Sequence, residues 1–163
     1  ILYAYVAFSS QYYGEVMLNL LYYFPMQFVG IYYWKRNMND RFVGEVKVKI
    51  MRLKERLFWI VACVGGIFGY GLVLKLLKGN LPFFDASSTV LSVLATVLMV
   101  RRVKEQWILW IAIDIISIYM WLDIFLKDGS NISMLVMWTA FLVNATYGLV
   151  NWIKMEKRQN GRK

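Results

Sequence analysis

Asp114 is the residue best placed to do chemistry in this sequence. It stands near the middle of an apolar stretch, Gln106 to Leu126. Trp107, Trp110, Asp114, Ser117 and Trp121 follow one another at steps of three and four residues, which puts them on one face of a helix. A carboxylate flanked by indoles suits a flat, positively charged ring. The carboxylate supplies the counter-charge, and the indole faces add cation–π attraction of up to about 2 kcal/mol when desolvated. A second arrangement uses the same residues: Trp107 and Trp121 at a membrane–water interface, and Asp114 paired with a neighbouring helix.

Two further stretches carry polar residues in register. Asn19, Tyr23, Gln27, Gly30 and Trp34 share one helical face, with Gln27 at its centre and Pro25 just before it. The proline is expected to kink that helix. Asn144 and Tyr147 share a face of the last apolar stretch, beside Gly148, Asn151 and Trp152. Each amide could bind a ligand or hydrogen-bond a neighbouring helix. Ser88, Ser92 and Thr96 form a stripe of small residues, and Gly65 and Gly69 form a GxxxG pair. Both patterns predict close helix packing.

These residues sit in a chain that water would not hold. Of 163 residues, 60% are hydrophobic and 18% charged, against about 45–50% and about 25% in an ordinary soluble domain. A helix crosses a bilayer with roughly 20 mostly apolar residues. Val16–Trp34, Leu57–Leu74, Leu81–Val100, Gln106–Leu126 and Gly129–Ile153 qualify, and Ile1–Phe8 reads as the end of another span. A carboxylate at the centre of such a span costs about 2.5–3.5 kcal/mol on insertion scales, so by default Asp114 marks a functional site.

The net charge of +9 is explained by placement. All the Lys and Arg residues except Lys75, Lys78 and Lys127 fall in 35–56, 101–104 and 154–163, which the alternating spans put at one end. That end is predicted to be cytoplasmic, with the C-terminus inside. The basic charge therefore reads as topology, and no nucleic-acid partner is expected. Histidine is absent and Cys63 is the single cysteine, which excludes disulfide frameworks, Cys/His zinc sites and His-dependent triads. No phosphate-binding G-x-x-x-x-G-K-[ST] loop occurs. One buried acid without a close second acid or a histidine is poor equipment for an enzyme. No cofactor and no metal are called for.

Gln27, Gly30, Trp34 and Lys35 find counterparts in Asn144, Gly148, Trp152 and Lys154. Both helices end at the basic side, which makes a parallel repeat of the kind found in SWEET-type carriers, with a site near the midplane between repeats.

The run Leu81-Pro-Phe-Phe-Asp85-Ala-Ser-Ser-Thr-Val-Leu-Ser92, then Glu105-Gln-Trp107-Ile-Leu-Trp110-Ile-Ala-Ile-Asp114, then Asn144-x-x-Tyr147-Gly148, resembles the bacterial Pnu-type vitamin transporters. The resemblance runs from Tyr12 to Lys154. It implies an all-α integral membrane protein of two parallel three-helix bundles joined by a linker helix. Residues 1–34 would be the remainder of the first bundle, 35–56 a basic cytoplasmic connection, 57–77 the linker helix, 81–153 the second bundle and 154–163 a basic tail. The chain opens at Ile1 without an initiator Met, and the rest of the first bundle is expected upstream. The resemblance also implies facilitated diffusion of nicotinamide riboside across a bacterial inner membrane, with Trp110, Asp114, Gln27 and Asn144 at the substrate, and Trp107, Tyr147 and Trp34 beside them. Thiamine, also a cation, is an alternative cargo that Asp114 suits equally well. A non-transporting membrane scaffold or accessory subunit is the alternative from another class. The expected partners are a small-molecule substrate and the lipid bilayer, and a homo-oligomer is compatible with the sequence.

Overall fold

The computed structural model describes residues 2–26, 28 and 51–160. Every regular element among them is helical. The sequence turns first through α1 (Leu2–Ser9) and α2 (Tyr13–Met17), and α2 widens directly into a π-helical segment, Leu18–Tyr23. Pro25 follows two residues later. Its nitrogen cannot donate to the carbonyl four residues back, so the wide turn lies where the regular ladder is interrupted. Four long helices complete the chain: α3 (Leu53–Leu76), α4 (Pro82–Val100), α5 (Gln106–Asp128) and α6 (Ile132–Asn160).

The helix ends explain the short connections. After α1, α3 and α4 the chain closes in the same way. The N–H of Tyr12 bonds Ala7 O (2.9 Å), that of Gly79 bonds Leu74 O (3.0 Å) and that of Val103 bonds Leu98 O (3.0 Å). The residue before each is left-handed: Gln11, Lys78 and Arg102 have φ of 60°, 57° and 61°. This is the Schellman closure, which satisfies the last carbonyls of a helix. None of the three is glycine, so each bears a left-handed strain of roughly 1–2 kcal/mol. At the end of α5 the same conformation falls on Gly129 (φ 69°), which adopts it without that strain. Pro82 opens α4 at its first position, where its missing N–H costs nothing.

Each long helix lies against the next one in sequence, so α3 to α6 form an antiparallel row, with α2 against α4 and α1 against α2. Glycines set some of the approaches. Gly71 of α3 lies under the Phe83 ring, and Gly66 faces Val90. The expected Gly65–Gly69 contact does not form among the described residues: both glycines face open space. At one end the Tyr12 hydroxyl donates to the Met120 carbonyl (2.5 Å), and its ring meets Trp121 edge-on at 5.4 Å. At the basic end Arg56 pairs with Glu105, Lys104 with Glu156 (2.7 Å), and Arg101 lies 6.0 Å above the Trp59 ring.

The outer surface is apolar. Phe58, Val61, Phe68 and Leu72 of α3 and Val136 and Val143 of α6 are exposed. Such a surface is stable against acyl chains and not against water. All four long helices are long and apolar enough to cross a membrane. The protein is therefore an all-α integral membrane protein. α3 begins four residues before the expected span and α6 continues to Asn160, into the basic tail. The span expected over Val16–Trp34 begins at Tyr13; Gln27 and residues 29–34 lie outside the described residues.

Candidate functional site

Asp114 lies on the buried face of α5 with Gln106, Ile113, Ser117, Met120 and Trp121. It is 3% exposed. The ion pairs among the described residues are Arg56–Glu105, Lys104–Glu156 and Lys127–Asp123, so no Lys or Arg there neutralises it. One turn further on, Ser117 is 1% exposed and its hydroxyl has no hydrogen-bond partner among the described residues. A buried carboxylate with no cation beside it among the described residues, next to a buried hydroxyl with no partner among them, has the chemistry to receive a ligand with positive charge and hydrogen-bonding groups.

The π-helical segment brings Tyr23 to this site. Its hydroxyl lies beside Ser92 of α4, within electrostatic reach of both Asp114 and Glu15. The wide turn changes the face expected from regular spacing. Asn19 turns back on its own helix, donating to the Glu15 carbonyl at 2.8 Å.

Behind Tyr23 lies a second polar centre. Asp85 is fully buried and accepts the N–H of Gly14 on Oδ2 (2.7 Å) and the N–H of Glu15 on Oδ1 (2.9 Å). It thereby holds the first turn of α2 against α4. The Glu15 side chain accepts the Ser88 hydroxyl at 2.5 Å. Gly14 is required here, because a Cβ would fall 2.5 Å from Asp85 Oδ1 and 2.8 Å from Thr89 Oγ1. Removing the carboxylate leaves two buried N–H groups unpaired, each worth about 1–3 kcal/mol. Asp85→Ala is therefore expected to lower the unfolding temperature in detergent markedly, and Asp85→Asn, which keeps one acceptor, to lower it less. Equal temperatures for wild type and Asp85→Ala would contradict this role.

The aromatic residues divide by depth. Trp121 is completely buried against Tyr3 and Tyr12, which removes it from the interfacial belt considered above. Trp107 meets Trp152 edge-on at 6.2 Å and covers Gly148 of α6. Its indole N–H is buried without a hydrogen-bond partner among the described residues. Trp110, one turn before Asp114, is half-buried. Asn144 is exposed and Tyr147 is 67% exposed. Tyr147 borders a shallow groove of about 450 Å³ on α6 with Thr146, Asn151 and Lys154. The described residues thus bring Trp107, Trp110 and Asp114 onto one helix face but leave Asn144 and Tyr147 on an exposed face of α6. Gln27 and Trp34 fall outside the described residues. No cluster of His, Cys, Asp and Glu able to hold a metal ion occurs among the described residues.

Glu15 escaped sequence reasoning because the apolar span was drawn from Val16, one residue beyond it. Asp85 stands out in the sequence only as part of the Leu81–Ser92 run, and Ser88 and Ser92 only as part of that run and as small packing residues. The available signal was the carboxylates themselves, since an ionisable group at the edge of a membrane span marks a site by default.

Fold and site together define a multi-pass helical membrane protein with a polar centre between its helices. The chain belongs to the nicotinamide mononucleotide transporter family, whose sequence profile matches residues 1–154. It is 39% identical over 165 residues to the nicotinamide riboside transporter PnuC of Neisseria mucosa, covering 99% of this chain and 63% of that protein. It is 35% identical over 159 residues to the nicotinamide riboside transporter PnuC of Haemophilus influenzae, covering 97% of this chain and 67% of the relative. A crystal structure of the vitamin B3 transporter PnuC superposes with a TM-score of 0.79 at 39% identity, over 96% of this chain and 68% of that one. The chain therefore spans about two thirds of the length of these relatives. The family is one of transporters, not of enzymes.

Proposed function

We propose that the intact protein carries nicotinamide riboside across a bacterial inner membrane by facilitated diffusion. The observation that carries this is Asp114, buried without a cation among the described residues and sharing a helix face with Trp107 and Trp110. The pyridinium ring of nicotinamide riboside is flat and positively charged. It would seat against the indoles with its charge facing the carboxylate. The names of the Neisseria and Haemophilus relatives support the same substrate. The sequence contains no nucleotide-binding loop, which favours diffusion down a gradient over ATP-driven pumping.

The same proposal covers the architecture. α3 is the linker helix, α4 to α6 are the second three-helix bundle, and α1 and α2 belong to the first. The repeat then places the substrate between bundles, near the midplane. Asn144 and Tyr147, exposed on α6, would face it from the second bundle, with Gln27 and Trp34 opposite. The basic end is cytoplasmic, with the C-terminus inside.

Titration of the purified intact protein tests the substrate. Nicotinamide riboside is expected to bind saturably and to change tryptophan fluorescence, while uncharged riboflavin does not. Tighter binding of thiamine would reassign the cargo. Failure of both cations to bind would refute the site.

A further inference from the structure

Ser117 is buried on the same face of α5 as Asp114, one turn further from the basic end. A serine or threonine inside a helix ordinarily has an outlet for its hydroxyl in the carbonyl four residues back. Ser9, Ser87, Thr96, Thr139 and Thr146 all use it here, at 2.7–3.2 Å. Ser88 donates across to Glu15 instead. Ser117 does neither: its Oγ is buried and has no hydrogen-bond partner among the described residues. A buried hydroxyl without a partner is unfavourable. One that its own helix could satisfy, and does not, is left for a partner that comes and goes. Thr89 carries the other unpaired buried hydroxyl among the described residues, but it lines a groove between α3 and α4 with Cys63, Tyr70 and Val93.

Position along the helix says which part of a ligand Ser117 meets. An α-helix rises about 1.5 Å per residue, so Trp110 precedes Asp114 by about 6 Å and Ser117 follows it by about 4.5 Å. A pyridinium ring on the Trp110 indole, with its charged nitrogen at Asp114, lies on the side toward the basic end. That nitrogen is also the atom that bears the sugar in nicotinamide riboside. The bond from it points away from the ring, toward Ser117, while the carboxamide stays on the indole side.

We propose that Ser117 reads the sugar: its hydroxyl hydrogen-bonds a ribose hydroxyl of the bound cation and so selects a pyridinium riboside over a cation without a sugar. This inference rests on the cation site proposed above. A serine hydroxyl can donate to a second hydroxyl or accept from it. A site that hydrogen-bonds a substrate hydroxyl discriminates against the analogue that lacks it. Thiamine carries no sugar on its charged nitrogen, so this contact favours nicotinamide riboside between the two cargoes that Asp114 suits equally.

Equilibrium binding to the intact protein tests this with two probes. One is nicotinamide riboside; the other is 1-methylnicotinamide, the same cationic ring with a methyl group in place of the sugar. Ser117→Ala is expected to weaken nicotinamide riboside about two- to tenfold and to leave 1-methylnicotinamide unchanged. Thr89→Val, which removes the other unpaired hydroxyl, is expected to change neither. Because Ser117→Ala deletes a hydroxyl that the protein does not pair, its unfolding temperature without ligand should not fall. Equal weakening of both cations, or an equal loss in Thr89→Val, overturns the assignment to the sugar. Unchanged affinity of Ser117→Ala for nicotinamide riboside overturns the contact while leaving the cation site standing. A lowered unfolding temperature shows that the hydroxyl is paired within the protein and overturns the inference as well. Failure of nicotinamide riboside and thiamine to bind the wild type overturns the cation site and this inference with it. So does failure of 1-methylnicotinamide to displace nicotinamide riboside from the wild type.

Discussion

Asp114→Leu is expected to abolish nicotinamide riboside uptake in cells while the protein still reaches the membrane. Leucine at the centre of a span inserts more favourably than aspartate by roughly 3 kcal/mol, so loss of uptake cannot be laid to failed insertion. The binding side moves the other way. Removing one member of a buried charge pair costs about 2–5 kcal/mol, or roughly 30-fold to several thousand-fold in affinity. Asp114→Asn separates the two contributions of the carboxylate, because it keeps shape and hydrogen bonding but gives up charge. Its affinity for the cation should fall between those of the wild type and Asp114→Leu. Membrane abundance by immunoblot and uptake of labelled substrate, measured together, check the expectation. Undiminished uptake in Asp114→Leu would make Asp114 a structural residue.

Gly148→Val should have the second largest effect, through a residue that touches no ligand in the proposed site. A side chain at Gly148 would run into the Trp107 ring. That indole is rigid and already held against Trp152, so it moves as a unit. Overpacking of this kind costs about 1–3 kcal/mol of stability. The displaced indole also leaves the face it shares with Trp110 and Asp114. We expect a lower unfolding temperature and weaker nicotinamide riboside binding together. Gly69→Ala is the control: its methyl group meets open space, and alanine is the better helix former, so the unfolding temperature should hold or rise. Equal behaviour of the two variants would show that the Trp107–Gly148 contact has no bearing on the site.

The contrast between Gly69 and Gly148 shows what one chain of residues can disclose. Both glycines lie in apolar helices, and Gly65–Gly69 carries the better known packing signature. Only the placement of the neighbouring helices shows which glycine another side chain needs. Trp121 makes the same point. An indole near the end of a span has the composition of an interfacial residue, yet Tyr3 and Tyr12 from α1 and the start of α2 cover it completely.

What the sequence by itself determined is what local chemistry determines. Some twenty mostly apolar residues have one low-energy environment, so the spans at α3 to α6 were legible. Basic residues gather at one end of such spans, so their relative directions were legible too. The 3.6-residue period placed Trp107, Trp110 and Asp114 on one face before any packing was known. The tertiary structure alone decided the rest. Glu15 meets Ser88, and Gly14 and Glu15 meet Asp85, across 73, 71 and 70 residues of chain. A hydrogen bond between residues so far apart leaves no periodic trace in either segment. It exists because α2 packs on α4, and that packing made a carboxylate just outside a predicted span the closest companion of the one just inside another.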